Sequence, residues 1–484
     1  MSSLSPPTRP IGFKPVRRLL TFALLALALL AATGLGYGTY LLSRLAPIGT
    51  AYAARTLCSG VFVAGRQAED VKREDILADN HPLLRLVRAS VDIARQRASA
   101  TFAGMAKREA QYRPGLGCVL VIDSTADLLR AVAVTGEMAV RNASKAPNVD
   151  FPADPSPRGI DSQKLAQAVD AAFTEPDPGR LQRTRAVVVL RDGRIVAERY
   201  ALGFSADTAM LGWSMTKSVT AALIGILVQQ NKLALERNGL LPQWTGAGDP
   251  RTGITLDNLL RMTSGLRFTE DHGDPLEDVA LMLFTRADAA AYAIDKPLDF
   301  APGTHWSYSS GSSNVLSAIM RQALGGNPQE YLSFPRRALF DRIGMRHAVL
   351  ETDSSQTFVA SSYMYASARD WARFGQLLLQ DGVWRGERLL PSGWVRYMST
   401  LTPQSKRRDF GAHLWVKVPP PFDSIEQPRP QVPRDAFHAV GFEGQFVSVI
   451  PSRRMVVVRL GLSRGNHVWD HDAFLERLIA AVSD

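Results

Sequence analysis

The chain has 484 residues, 46% hydrophobic and 21% charged, with a formal net charge of +10. These proportions exclude a disordered or low-complexity protein and leave room for one large core or two smaller ones. The basic excess is scattered, without an aromatic-interleaved stripe, which argues against nucleic acid as a partner and leaves anionic lipid or cell-wall polymer as the better match.

Residues 1–18 read as a cytoplasmic tail. Arg9, Lys14, Arg17 and Arg18 stand ahead of an uncharged run from Leu19 to Leu42. At 1.5 Å per residue that run is long enough to cross a bilayer core of about 30 Å, so 19–42 is expected to be a transmembrane anchor. Positive charge before it holds that end in the cytoplasm, which predicts a single-pass protein of the inner membrane whose remaining chain faces the periplasm or exterior. A signal peptide cut after Ala51-Tyr52-Ala53 is the rival, but the apolar run exceeds the usual h-region.

Residues 43–160 read as a predomain and linker. They hold helix-like runs between Leu83 and Arg108, a strand from Cys118 to Ile122, and a proline-rich linker from Asn148 to Pro157. Both cysteines, Cys58 and Cys118, lie here; export permits a bridge between them, and two buried thiols are the alternative.

A larger domain is expected over 161–484. A helix spans Gln163 to Phe173, and Thr184 to Tyr200 form a hairpin turned at Asp192-Gly193. A helix too apolar for a surface position runs on from Ser214 to Val228. Strands over Phe446–Ile450 and Met455–Leu460 and a helix over Asp472–Val482 close the chain. With sheet segments at both ends and helices between, the predicted class is α/β (α+β): an antiparallel sheet flanked by helices, plus a mostly helical subdomain.

Ser214-Met215-Thr216-Lys217 carries the chemistry. Residues three apart share one side of a helix, so the lysine amine can act as base for the serine hydroxyl once burial and the helix N-terminus depress its pKa. A capped helix followed by a solvated lysine would show the same four letters. Further along, Tyr308-Ser309-Ser310 follows the turn Ala301-Pro302-Gly303-Thr304. Two longer phrases stand beside these, Ile254 to Leu266 and Ser367 to Gly375, and His438-Ala439-Val440-Gly441-Phe442-Glu443-Gly444-Gln445 begins a late strand.

Together these residues resemble the serine β-lactamase and penicillin-binding-protein superfamily, in particular its class C-like and 6-aminohexanoate-dimer (nylon-oligomer) hydrolase branch. The resemblance covers Gln163 to the C-terminus. It implies that Ser214 is acylated, that Lys217 manages its proton and that Tyr308 passes a proton to the leaving group. Ser310 stands where the second motif often has asparagine. The third motif lacks its usual lysine, with Ala439 there instead, and the resemblance implies an oxyanion hole from the N–H groups of Ser214 and Phe442. Ser310, His438 and Gly441 are the candidates for substrate contact. For His438, one register turns the ring into the cleft, whereas alternation counted from Gly441 turns it away.

The implied function is hydrolysis of an amide or ester through a Ser214 acyl-enzyme. The alternatives are a β-lactamase or D,D-peptidase, and a non-catalytic homologue that binds cell wall. This chemistry calls for no cofactor or metal, and no motif specifies an oligomeric state. Gly461-Leu462-Ser463-Arg464-Gly465 matches a nucleophile elbow, but too little chain follows to supply an acid and a histidine. His467 and His471 have i, i+4 spacing without the intervening Glu of a His-Glu-x-x-His site and read as part of a helix start. Asp271 to Asp274 read as an acidic loop.

Overall fold

A computed structural model describes residues 14–132, 151–152, 158–271, 273–422, 432–465 and 467–482. Most of the tail and of the proline-rich linker, and His272 of the acidic loop, lie outside these.

Helix α1 runs unbroken from Lys14 to Phe62 and so joins the apolar run to the predomain in one rod. Its first part is exposed, with a mean hydropathy of 2.2 over the most apolar 18 residues; among the described residues it is the one helix long and apolar enough to cross a membrane. From Ala46 onward the helix is half-buried or buried. It packs there on a four-stranded antiparallel sheet, β1 (Val87–Asp92), β2 (Arg97–Phe102), β3 (Met105–Arg113) and β4 (Gly117–Leu120), in sequential order.

This sheet replaces the helix-like reading of Leu83 to Arg108. Ala98, Ala100 and Ala110 suggest helix by propensity, but they alternate inward on β2 and β3 and meet Ala51, Ala53 and Ala54 of α1 in one core. Small side chains on both surfaces bring the helix close to the sheet, and tertiary packing overrides propensity. A disulfide joins Cys58 of α1 to Cys118 of β4.

The larger domain opens with α2 (Ser162–Ala171) and the hairpin of β5 (Thr184–Arg191) and β6 (Arg194–Tyr200), whose turn residues Asp192 and Gly193 both have positive φ. The chain returns at its end as β7 (Phe437–Gly441), β8 (Gln445–Ile450), β9 (Met455–Gly461) and the last helix. These five strands form one antiparallel sheet in the order β7-β8-β9-β5-β6. Its two faces follow strict alternation. Ala186, Val188 and Leu190 enter the main core, against α3 (Met215–Gln229) and the helical subdomain, whereas Val187 and Val189 face α2 and the C-terminal helix. Buried on all sides, α3 presents its first turn at the junction of sheet and subdomain.

The two parts of the chain are bolted together. Arg55 of α1 is paired in the interior with Glu351, which also accepts from Ser59 Oγ at 2.8 Å and from the Cys118 N–H at 2.7 Å. Nearby, Arg113 donates to Thr352 Oγ1 at 2.6 Å.

Candidate active site

Ser214 is the N-cap residue of α3, and its side chain makes no capping bond, which leaves the hydroxyl for other work. Lys217, one turn on, is 2% exposed and places Nζ 2.9 Å from Ser214 Oγ. The same nitrogen donates to Ser310 Oγ at 3.0 Å and to the Ser361 carbonyl at 3.1 Å. Two N–H bonds are thereby committed, and the third tetrahedral direction of the amine points at the nucleophile. Burial lowers the lysine pKa from 10.5 to about 8, with the Glu270 carboxylate partly opposing the fall. Near neutrality a useful fraction is therefore free base.

Glu270 is the residue that the sequence reading missed. It comes from the loop after Gly265, accepts from the Ser310 N–H at 2.7 Å and from the Ser310 hydroxyl, and lies 3.9 Å from Lys217 Nζ. Ser310 is thus a relay between amine and carboxylate at the start of a helix, α4 (Ser310–Ala323), capped by Ser309.

Tyr308 is half-buried above the amine, its ring centroid 4.8 Å from Lys217 Nζ, and packs against Trp415 and Phe410 at 5.5 and 5.8 Å. A fall of its pKa beside a lysine cation would be the simple expectation. Instead burial and Glu270 push it well above the ordinary tyrosine range, while hydrogen bonding with Ser214 pulls it back only in part. Tyr308 therefore stays protonated.

Behind the lysine, His413 supports the site with left-handed backbone, φ 61°. Its Nδ1–H donates to the Leu260 carbonyl at 2.6 Å, Nε2 accepts from Ser313 Oγ at 2.9 Å, and its own carbonyl accepts from Ser218 Oγ at 2.6 Å. Burial drops its pKa to about 3, so the ring is neutral and ties α3, α4 and the Leu260 turn together.

The end of β7 closes on the nucleophile turn. A β-carbon on Gly441 would collide with the Gly212 carbonyl, so only glycine lets the strand approach so closely. The exposed Phe442 ring meets Trp213 edge-on at 5.8 Å. His438 is not at the cleft: alternation turns it to the other face of the sheet, where Nδ1 lies 2.8 Å from Ser448 Oγ, and Ser448 in turn lies 2.8 Å from His471 Nε2. Its candidacy as a substrate contact falls on that geometry. Ser463 is buried and donates to the Gln182 carbonyl at 2.5 Å, so the elbow-like pentapeptide is a structural turn. Among the described residues no group of three or more His, Cys, Asp or Glu could hold a metal ion.

Residues 172–481 match the Beta-lactamase family model. Over 223 residues the chain is 30% identical to the 6-aminohexanoate-dimer hydrolase of Paenarthrobacter ureafaciens, covering 44% of this chain and 56% of that protein. Over 195 residues it is 28% identical to Esterase EstB of Burkholderia gladioli, covering 36% and 49%. The chain thus spans about half the length of these relatives. Among solved structures, a penicillin-binding-protein homologue from Caulobacter crescentus shares the fold with a TM-score of 0.51 at 17% identity, over 69% of this chain and 98% of that one. With the family match spanning most of the larger domain and both sheet faces and the Ser214 helix in place, this chain belongs to the β-lactamase family of serine hydrolases.

Proposed function

We propose that the protein hydrolyses an amide or ester bond through an acyl-enzyme on Ser214, in the manner of a 6-aminohexanoate-dimer hydrolase or carboxyesterase, while α1 tethers it to a membrane. One observation carries the reading: a buried amine of lowered pKa, its other hydrogen bonds committed, stands 2.9 Å from the Ser214 hydroxyl. In acylation the Lys217 lone pair takes the hydroxyl proton as Ser214 Oγ bonds to the substrate carbonyl carbon. The oxyanion is held by the N–H groups of Ser214 and Phe442, which the approach of Gly441 to Gly212 supports. Tyr308, protonated throughout the working range, gives its proton to the leaving nitrogen or oxygen as that bond breaks and is reprotonated from the Lys217 ammonium. Water then attacks the acyl group, loses its proton to Lys217, and Ser214 leaves with a proton restored.

The amide or ester reading is favoured over a β-lactam or D,D-peptide substrate by β7. The side of this strand that faces the main core offers Phe437, Ala439 and Gly441, none of them a cation for a substrate carboxylate. A fluorophosphonate probe on the full chain in detergent tests the nucleophile. Wild type and Ser463→Ala should be labelled and Ser214→Ala should not; the reverse pattern overturns the mechanism. Turnover of short p-nitrophenyl esters or aminohexanoate dimer should exceed that of a chromogenic cephalosporin, and efficient cephalosporin hydrolysis without esterase activity would overturn the substrate class.

A further inference from the structure

Strand β3 runs beside α1 in the same direction. Thr50 Oγ1 donates to the Ala106 carbonyl at 2.8 Å near the start of β3 and of the packed part of α1, and Phe62 stacks on Tyr112 at 5.5 Å near the end of both. The predomain sheet therefore has a near end and a far end relative to the apolar run. At the near end Val87 pairs with Phe102 and the β2–β3 turn sits at Ala103-Gly104; at the far end Asp92 pairs with Arg97. From Leu42 to Thr50 the helix rises about 12 Å. The β2–β3 turn lies two to three residues beyond Ala106, at about 3.3 Å each, and so comes back to the level of Arg44.

The chemistry of the two ends differs. At the near end Leu86 is 53% and Met105 67% exposed, Arg85 and Arg88 of the same end are exposed, and so is Arg44 at that level of α1. No Asp or Glu occurs from His81 to Val91 or from Ser99 to Arg108. Lys107 is already held by Glu109 at 2.7 Å. The far end carries acids instead: Asp92 pairs with Arg95, and Asp127 lies against Arg97.

We propose that the near end of the predomain sheet docks on the bilayer that α1 crosses, with Leu86 and Met105 entering the headgroup layer and Arg44, Arg85 and Arg88 meeting anionic lipid phosphates. Apolar tips ringed by arginine suit that layer, since the guanidinium stems cover apolar surface while their heads stay in the polar zone. Docking would fix the height and tilt of the catalytic domain, because the predomain is bolted to it through Arg55 and Glu351. The proposal rests on the tether reading.

The two cysteines are joined to each other, so an introduced thiol can be labelled alone. Nitroxides at Leu30→Cys, Met105→Cys and Ile93→Cys would be compared in the full chain, in vesicles of phosphatidylcholine and phosphatidylglycerol in equal parts. Accessibility to dioxygen and to a water-soluble nickel complex reports depth. The label at 30 should lie in the hydrocarbon core. The one at 105 should be several-fold less accessible to nickel than the one at 93, and combining Arg85→Glu and Arg88→Glu should return it toward water. A core position at 30 with equal nickel accessibility at 105 and 93 overturns the docking surface alone; water at 30 overturns the tether and the docking together. An unmoved label in the charge variant overturns recognition of the headgroups.

Discussion

The indole N–H of Trp213, the residue before the nucleophile, donates to Glu443 Oε2 at 3.0 Å. Trp213 has φ 47°, a left-handed conformation that costs about 1–3 kcal/mol for such a residue and persists only where its surroundings impose it. Glu443 is held in turn by Arg464 at 2.6 Å, and Arg464 reaches the predomain through Tyr52 at 3.1 Å and the Asp75 carbonyl at 2.7 Å. A path of polar contacts therefore runs from α1 to the turn that aims Ser214.

Trp213→Phe keeps an aromatic edge on Phe442 but removes the bond to Glu443. One charge-assisted bond of about 1.5 kcal/mol corresponds to roughly a tenfold loss in acylation rate, with KM little changed because no substrate contact is lost. The rate of fluorophosphonate labelling measures this directly. Labelling at the wild-type rate would show that the turn holds its shape without the indole bond.

The rate should also report the lysine. With Lys217 near pH 8 and required as free base, kcat/KM should rise with pH through about 8 and level off above it. Glu270 favours the ammonium form, so Glu270→Gln should lower the lysine pKa further and move the rising limb to lower pH. Lys217→Ala and Tyr308→Phe should each slow turnover by roughly a hundredfold or more. A limb that stays in place in Glu270→Gln would assign the ionisation to another group.

What the sequence disclosed follows from physical regularities. The alternation of Val187 and Val189 against Val188 and Leu190 is a local pattern that a two-sided sheet must have, and Ser214 and Lys217 are one turn apart on a single helix. Glu270 and His413 gave no such signal. Each lies on a loop, Glu270 is forty positions from Ser310, and only tertiary folding brings it to the amine. In the predomain the Cys118 strand was legible, but β2 and β3 were hidden for a different reason: Ala98, Ala100 and Ala110 at their inward positions serve closeness to α1 rather than strand propensity.

Glu351 is completely buried with Arg55, Ser59 and the Cys118 N–H as partners. Burial raises its pKa, and Arg55 is the main influence opposing that rise. Removing one member of such a pair leaves the other charge in the interior, so Glu351→Ala should cost about 3–5 kcal/mol in urea unfolding in detergent. Pairing it with Arg55→Met should recover much of the loss, since a well-packed apolar pair is often as stable as a buried ion pair. Additive losses in the double variant would mean that the two side chains do not act on each other.

Across the sheet two buried histidines, His438 and His471, are linked through Ser448. Trp469 Nε1–H donates to His471 Nδ1 at 3.1 Å, so His471 Nε2 carries the proton and donates to Ser448 Oγ, whose hydroxyl donates to His438 Nδ1. The chain has one direction and needs both rings neutral. Burial lowers His438, like His413, from 6.5 to about 3, and it holds His471 well below 6.5 too. In the unfolded chain all three gain a proton as pH falls through about 6.5, whereas the folded chain does not. The stability they contribute is complete above that pH and is lost progressively as pH drops toward 3, by up to about 1.4 kcal/mol per pH unit for each ring. His438→Asn keeps an acceptor near the Nδ1 position for the Ser448 hydroxyl and removes one titrating group. Chemical unfolding across mildly acidic pH should therefore show a shallower fall for this variant, by about one ring's share, whatever its stability at neutrality. An identical slope in the variant and the wild type would show that His438 takes up its proton in the folded state as readily as in the unfolded one.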